Sequence, residues 1–407
     1  MKFLTPKTML PKIMTLTLLL LTLLAIPVAA QPAGSGKQPH YQVYSFGSPL
    51  GGSASGAAAV NNFGLVAGDS NLTGDATEHA FLWALGDGID LGTLGGPNSA
   101  VLWPGLNDNG VAVGISDTSN SDPLGESWSC GAFFPASHAG YTCVGFVWQN
   151  NQMTPLATLG GNNGFATSIN DNGTIVGWAE TKYHDPSCAA PQVLQFLAVE
   201  WGLDGKVIQR LQPYGTNTTS AATAINQNGQ VVGISGACQN AVGNRSAEHA
   251  LLWDNGNIVD LGNLGGKAWN TPMAINNRGQ IVGFSDLHGD QDGANPNFHA
   301  FLWTKENGMQ DLGVLEGDAI SEALGINDEG QVVGVSFAAG FTNPHAFLWQ
   351  NGKMLDLNKL AKNSSLTLQV GQEINDLGVV VGQAVGQGSG ACGVSSAGCA
   401  FAAVPQW

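Results

Sequence analysis

The sequence predicts an all-β chain closed into a seven-bladed β-propeller of four-stranded blades, with a C-terminal strand completing the first blade. Three observations carry this. One hairpin pattern recurs seven times: VNNFGLVAG from Val60, LNDNGVAVG from Leu106, INDNGTIVG from Ile169, INQNGQVVG from Ile225, INNRGQIVG from Ile275, INDEGQVVG from Ile326 and INDLGVVVG from Ile374. Its spacing of 46, 63, 56, 50, 51 and 48 residues suits four short strands plus loops. The first copy enters at its second strand, at Tyr41, while the chain ends on a lone first strand, CAFAAVP at 399–405. The set is complete only if Ala400 to Val404 pairs back into the unit formed by Tyr41 to Ser70; an open solenoid would leave both edges unpaired, whereas a ring uses the overlap as a clasp. Composition agrees, since 57 glycines and only 11% charged residues favour turns and strands over long helices.

The fullest copy, His249 to Asp286, shows why each element is a strand. It reads HALLW, NIVDLG, PMAIN and QIVGFS, separated by an Asp-Asn-Gly turn, a Gly-Gly loop and an Asn-Arg-Gly turn. Short apolar runs bounded by such residues are hairpin signals, because the turns need a positive φ that Gly and Asn adopt cheaply. The first strand recurs as HAFLW at 79–83, GFVW at 145–148, LAVEW at 197–201, and HAFLW again at 299–303 and 345–349. The second recurs as DLG or a variant at Asp90, Leu156, Leu211, Asp260, Asp311 and Asp356, with YQVYSFG from Tyr41 as its first copy.

Ahead of the repeats, residues 1–30 carry Lys2, Lys7 and Lys12, an apolar run from Leu18 to Ile26 and a small-residue site at Val28 to Ala30, the pattern of a secretory signal peptide. Residues 31–40 read as a flexible lead-in, and 41–407 as a single propeller. Excess length falls between the fourth and first strands of the repeat, at 117–144, 180–196, 236–248 and 286–298, which are expected to be surface connections between blades. Six cysteines lie mostly in these insertions; neighbourhood pairs Cys130 with Cys143 and Cys392 with Cys399, leaving Cys188 with Cys238, as an oxidising compartment allows.

The recurring HAFLW, DLGTLGG and INxxGxVVG elements, with Asp90 to Gly96 reading DLGTLGG and His79, His299 and His345 opening three HAFLW copies, resemble the HAF repeat family of bacterial extracellular proteins. The resemblance spans roughly 41–405; the copies at 197–211 and 399–405 depart from it by lacking the His and the DLG. It implies an exported bacterial protein and lends a location rather than a reaction.

Residues repeated in every blade are best explained by what every blade needs. His79, His249, His299 and His345 are expected to bond within their blades to Asp90, Asp260, Asp311 and Asp356; two blades lack the His, so a complete metal ring is disfavoured. Turn residues such as Asn170, Asp171 and Asn276 cap their own turns, and Trp83, Trp148, Trp201, Trp253, Trp303 and Trp349 pack between blades. Unrepeated residues are the candidates for function. Trp103, Trp128, Trp178 and Trp269 fall outside the periodic Trp position and are candidate ligand-stacking rings. Asp286, Asp290 and Asp292 are close enough to wrap Ca²⁺, without the closing Glu of a full calcium loop. No nucleophile elbow, zinc-hydrolase motif or phosphate loop occurs, and Glu180, Asp185, Glu200, Glu322 and Glu373 could act as paired carboxylates only if they met at the ring's mouth.

Charge narrows the partners. Removing Lys2, Lys7 and Lys12 leaves 11 of the 14 basic residues against 30 acidic ones, a net of about −19, which disfavours nucleic acid and anionic membranes. The expected protein is an exported, monomeric, non-catalytic binding or scaffold propeller for a glycan or extracellular protein, without stable membrane insertion and with Ca²⁺ as the one cofactor to test. A carbohydrate-active hydrolase or lyase with acidic residues at the channel mouth is the alternative, and a self-associating surface protein the third.

Overall fold

The turn between the first two strands of every blade is an Asn-x-x-Gly turn whose glycine needs a left-handed backbone: Gly64, Gly110, Gly173, Gly229, Gly279, Gly330 and Gly378 hold φ between +73° and +80°. The computed structural model describes residues 39–84, 86–126, 128–134, 140–239, 244–289, 297–361, 364–386 and 398–406, the side chains of 128, 129 and 244 excepted. Around these turns stand seven antiparallel four-stranded sheets. From channel to rim, blade 1 is Gly51–Val60, Val66–Leu72, Glu78–Ala84 and Asp87–Asp90; blade 2 is Gly95–Ala100, Ala112–Ser121, Tyr141–Gln149 and Gln152–Pro155. Blades 3 to 6 begin at the inner strands Gly160–Ile169, Thr219–Ile225, Thr271–Ile275 and Ile320–Ile326. Blade 7 takes Leu366–Ile374, Val380–Gly386 and Cys399–Gln406 from the C-terminal end and His40–Gly47 as its outermost strand.

The termini therefore pair as expected, in register from Tyr41 opposite Pro405 to Gly47 opposite Ala400. The blade they complete is the last one, however, because the blade frame is offset by two strands from the repeat as read in sequence. Strands three and four of the repeat are the inner half of a blade, and strands one and two of the next copy are its outer half. A correction follows for the insertions: they join the second and third strands within a blade, and the short DLGTLGG-type segments are what step from blade to blade. All the long connections thus lie on one face of the disc, here the insertion face, and the uniform Asn-x-x-Gly turns on the other.

Two packing rules hold the blades. In VVG, the glycine sits beneath an inner-strand carbonyl: a Cβ at Gly68, Gly177, Gly334 or Gly382 would overlap the oxygen of Gly56, Phe165, Glu322 or Val370. Between blades lie seven apolar clusters, one per interface, and the clasp interface of Ala57, Val60, Phe81, Val381, Ala400 and Ala402 is as buried as the rest. The periodic tryptophans pack here as expected; Trp201 and Trp253 also donate Nε1–H to Ala157 and Gln212 carbonyls at 2.8 and 3.0 Å.

On the turn face a second bond system runs round the ring. Asn61 donates its Nδ2–H to the Asn107 carbonyl, Asn107 to Asn170, Asn170 to Asn226, Asn226 to Asn276, Asn276 to Asn327, Asn327 to Asn375, and Asn375 back to Asn61, all at 3.0–3.1 Å. The Oδ1 of each accepts a main-chain N–H of its own turn, as at Leu65, Val111, Thr174 and Gln230. One residue on, a parallel ring forms: the N–H of Asn62, Asp108, Asp171, Gln227, Asn277, Asp328 and Asp376 each goes to the side-chain oxygen of the next member, at 2.8–3.0 Å. Asp171 therefore serves the neighbouring blade, where sequence reasoning gave it only its own turn.

Asn226→Ala removes a cap and one of two bonds to the Asn276 carbonyl, which keeps the Gly279 N–H, and should cost about 1–3 kcal/mol in denaturant unfolding. The exposed neighbour Asn228, whose Nδ2–H reaches the Asn277 carbonyl, should lose less than about 1 kcal/mol on the same change. Equal losses would mean that the ring bond adds nothing to the turn.

Candidate functional site

The insertion face is knitted into a rim. Cys130 pairs with Cys143 inside the blade 2 insertion, and Cys188 with Cys238 across the insertions of blades 3 and 4. Both pairings are those expected; Cys399 is also disulfide-bonded, and its expected partner Cys392 lies outside the described residues. Glu126, from the blade 2 insertion, accepts the N–H groups of Val193 and Leu194 of blade 3 at 2.8 and 2.5 Å. Asn270 of blade 5 donates its N–H to Ala247 of the blade 4 insertion at 2.9 Å.

Beneath the rim, one central apolar cluster draws on blades 2 to 7. Three of the four unrepeated tryptophans, the candidate ligand-stacking rings, are part of it or packed against it. Trp178 is 1% exposed and meets Phe196 at 5.8 Å between centroids. Trp103, 8% exposed, packs on Phe165 and Phe133 at 5.0 and 6.0 Å. Trp269 is half-buried, stacked on Phe298 at 6.2 Å. Trp128 opens the short helix Trp128–Phe133, and its side chain lies outside what is described. Among the described aromatic side chains that reach solvent, Tyr44, Phe63, Tyr183 and Phe341, the last, 43% exposed at the tip of the blade 6 connection, is backed by Phe298 and Phe337, each at 5.6 Å. Its exposure could not be read from the repeat, because the loop carrying it, Ala339 to Phe341, is too short to register as an insertion.

Of the acids nominated from sequence, Glu180 and Glu373 lie far apart. Glu180 accepts the N–H groups of Asn162 and Asn163 at 3.1 and 2.9 Å and the Gln192 amide at 3.1 Å, near the insertion face. Burial, then the Glu126 carboxylate, push it up to about 7 against those bonds. Glu373 lies at the opposite end, lining the cavity of about 150 Å³ inside the Asn ring, and accepts the Val60 N–H at 2.6 Å. Its carboxyl is pushed up to about 8 by burial and by Asp108, and Glu322 to about 7 by burial. The five carboxylates nominated from sequence therefore do not meet at one mouth. Asp286 ends the strand Ile281–Asp286 fully buried, while Asp290 and Asp292, the other two residues of the expected calcium loop, lie outside the described residues. Asp185, Cys188 and Cys238 cluster closely, but the two sulfurs are joined to each other and are not thiolate ligands.

The repeated histidines tie the two outer strands of their blades. His79, His249 and His299 place Nδ1 2.8, 2.8 and 3.0 Å from Asp90, Asp260 and Asp311. His345 departs, turning to Asp318 at 3.4 Å, because Asp356 instead caps the helix Leu357–Leu360 by accepting the Asn358 N–H at 2.9 Å.

Among the described residues, a further set of polar side chains lines a cavity. A cavity of about 270 Å³ lies where blades 1 and 7 meet the channel, and Asp69, Gln372 and Gln383 line it together with Gly56, Ala57, Ala58, Leu102 and Val370. Asp69 is deep in the protein yet partly open to this space, and burial pushes its carboxyl up to about 7. Glu78 beside it is pushed to about 8, by burial first and then by Asp69 and Asp117. Asp117 itself is anchored by the Asn98 amide at 2.9 Å.

A family model described as a protein of unknown function (DUF3466) matches residues 104–264, less than half of the chain. No curated protein matches it. Among solved structures, an acylaminoacyl peptidase of Pyrococcus horikoshii is similar at 10% identity and a TM-score of 0.44, over 79% of this chain and 47% of that one. The chain thus spans about half the length of that peptidase. A protein of unknown function from Dyadobacter fermentans is similar at 10% identity and a TM-score of 0.36, over 89% and 99% of the two chains. Likenesses at that level carry no chemistry across. Among the described residues no helix is long and apolar enough to cross a membrane.

A buried carboxyl raised above its ordinary value stabilises the fold below the unfolded value and loses that contribution as pH rises through the folded one. For Glu373 the window runs from about 4.5 to about 8. Glu373→Gln keeps an acceptor for Val60 and removes the ionisation, so its melting temperature should gain on the wild type steadily between those pH values. A constant difference would show that Glu373 does not titrate there.

Proposed function

We propose that the protein is an exported, non-catalytic binding propeller whose insertion face recognises a glycan, with the Asn-ringed turn face serving as the scaffold. The observation that carries this is Phe341: an aromatic ring 43% exposed, held on an aromatic base of Phe298 and Phe337, on the face where the insertions and disulfides are concentrated. Such a ring, rigid and apolar at a polar surface, suits the C–H face of a sugar. The dispersal of Glu180 and Glu373 to opposite ends of the channel supports binding over the hydrolase or lyase reading, which needs two carboxyl groups within about 5–10 Å across one bond. Two disulfides, a signal-like leader and the HAF-type repeat signature support export.

The test is a glycan-array screen of residues 31–407, with Ca²⁺ and with chelator, followed by a search for cleavage products from each ligand found. Binding without turnover is expected, and Phe341→Ala should weaken it about tenfold, ~1.4 kcal/mol, without moving the melting temperature. Cleavage products would overturn the non-catalytic reading. An array with no ligand, alongside capture of an extracellular protein, would replace the glycan by a protein partner.

A further inference from the structure

The blades can be compared residue by residue at one layer of the channel. The residue after the VVG glycine pairs with an inner-strand residue on one side and, in every blade but the second, with the repeated Ala of the third strand on the other. At this position blades 2 to 6 carry Ile115, Trp178, Ile234, Phe284 and Val335, all in the central apolar cluster. Blade 1 carries Asp69 and blade 7 carries Gln383. At the inner-strand bulge, Met273 and Leu324 fill the core from blades 5 and 6 and Thr167 and Thr223 of blades 3 and 4 donate to a carbonyl of the next blade, whereas Gln372 of blade 7 lines the cavity. On the inner strand opposite Asp69 stands Gly56, where a Cβ would come 3.1 Å from the carboxyl. Three polar substitutions and one vacated side chain thus converge at the clasp between the first and last blades, and they open the cavity of about 270 Å³.

Buried polar groups without protein partners cost stability, and the fold itself shows that Ile or Val satisfies this layer. We infer that this cavity is a binding site for one neutral sugar residue or a similar polyol, seated by Asp69, Gln372 and Gln383 and distinct from the loop-face site proposed above. Two amides and a carboxyl supply both donors and acceptors for hydroxyl groups, and Leu102 and Val370 offer an apolar wall for the C–H face. The volume exceeds what a single coordinated ion needs. Anions are disfavoured, because Glu78 and Asp117 share this corner with Asp69.

The probes are methyl glycosides of a hexose, an N-acetylhexosamine and a hexuronate, titrated into residues 31–407 while the side-chain amide NMR signals of Gln372 and Gln383 are followed. At least one neutral glycoside should shift both signals saturably, and the hexuronate should bind more weakly. Asp69→Ile and Gln383→Ile copy the residue that blades 2 and 4 use, so both should fold and should lose about tenfold or more in affinity; Asp69→Asn should retain binding within about threefold. Phe341→Ala should leave these shifts unchanged, which separates this site from the loop face whichever way the array falls. The inference is overturned if no neutral glycoside moves the two amides, if the shifts survive both Ile variants, or if Ca²⁺ alone moves them.

Discussion

The structure depends on a cyclic constraint: seven asparagine amides, each donating to the backbone of the next blade and accepting from its own turn. An amide is suited to both tasks, since it offers donor and acceptor from one short side chain. Closing the circle matters more than any single bond. Asn375 donates to Asn61 across 314 residues of sequence, at the same 3.0 Å that joins consecutive blades. The clasp on the rim side, where His40–Gly47 pairs with Cys399–Gln406, closes the same gap with a full strand. Bonds at the turns, a buried apolar interface and a shared sheet therefore all act at one seam.

Fixing one face leaves the other free to vary. The turns are nearly identical in length because each must present its Asn to the next, and the connections on the far side are under no such demand. Insertions of unequal length accumulate there and are stabilised locally instead, by disulfides and by acids such as Glu126 reaching into the adjacent blade. This division also sets the buried carboxyls Glu180 and Glu373 apart. Glu180 and Glu373 each serve a different end of the channel as acceptors for backbone N–H groups, work that a turn-rich protein must find side chains to do.

Much of this architecture was legible in the sequence, since hairpin turns and apolar runs are local signals. The blade count, the closure of the ends and the disulfides of Cys130 and Cys188 all follow from them. The frame of the blade was not legible, because a repeat has no intrinsic start and strand order from channel to rim is a tertiary property. The same limit hid the second half of the Asn role: Oδ1 acts within four residues, but Nδ2 acts across a blade interface. Among site residues, Trp103 and Trp178 were misread because departure from a period marks a residue as unusual without saying whether it faces out. In blades 2 and 3 the unusual residues fill the centre of the ring.

Departure from the period is more informative when it is polar and when the blades supply the comparison. A large apolar residue after VVG needs no explanation beyond packing, and five blades have one. Asp69 and Gln383 occupy the same register with polar side chains, in the two blades that meet at the clasp. The seam already has to join the two ends of the chain, so an imperfectly filled core is most costly there. The ring offers five other blades in which a polar pair would strain a less critical joint, yet it places Asp69, Gln372 and Gln383 together at this one. The polar bulge residues of blades 3 and 4, Thr167 and Thr223, are by contrast each bonded to a carbonyl of the next blade. The convergence of Asp69, Gln372 and Gln383 on a single cavity, opposite a glycine that makes room for it, is what a site requires and a packing fault does not.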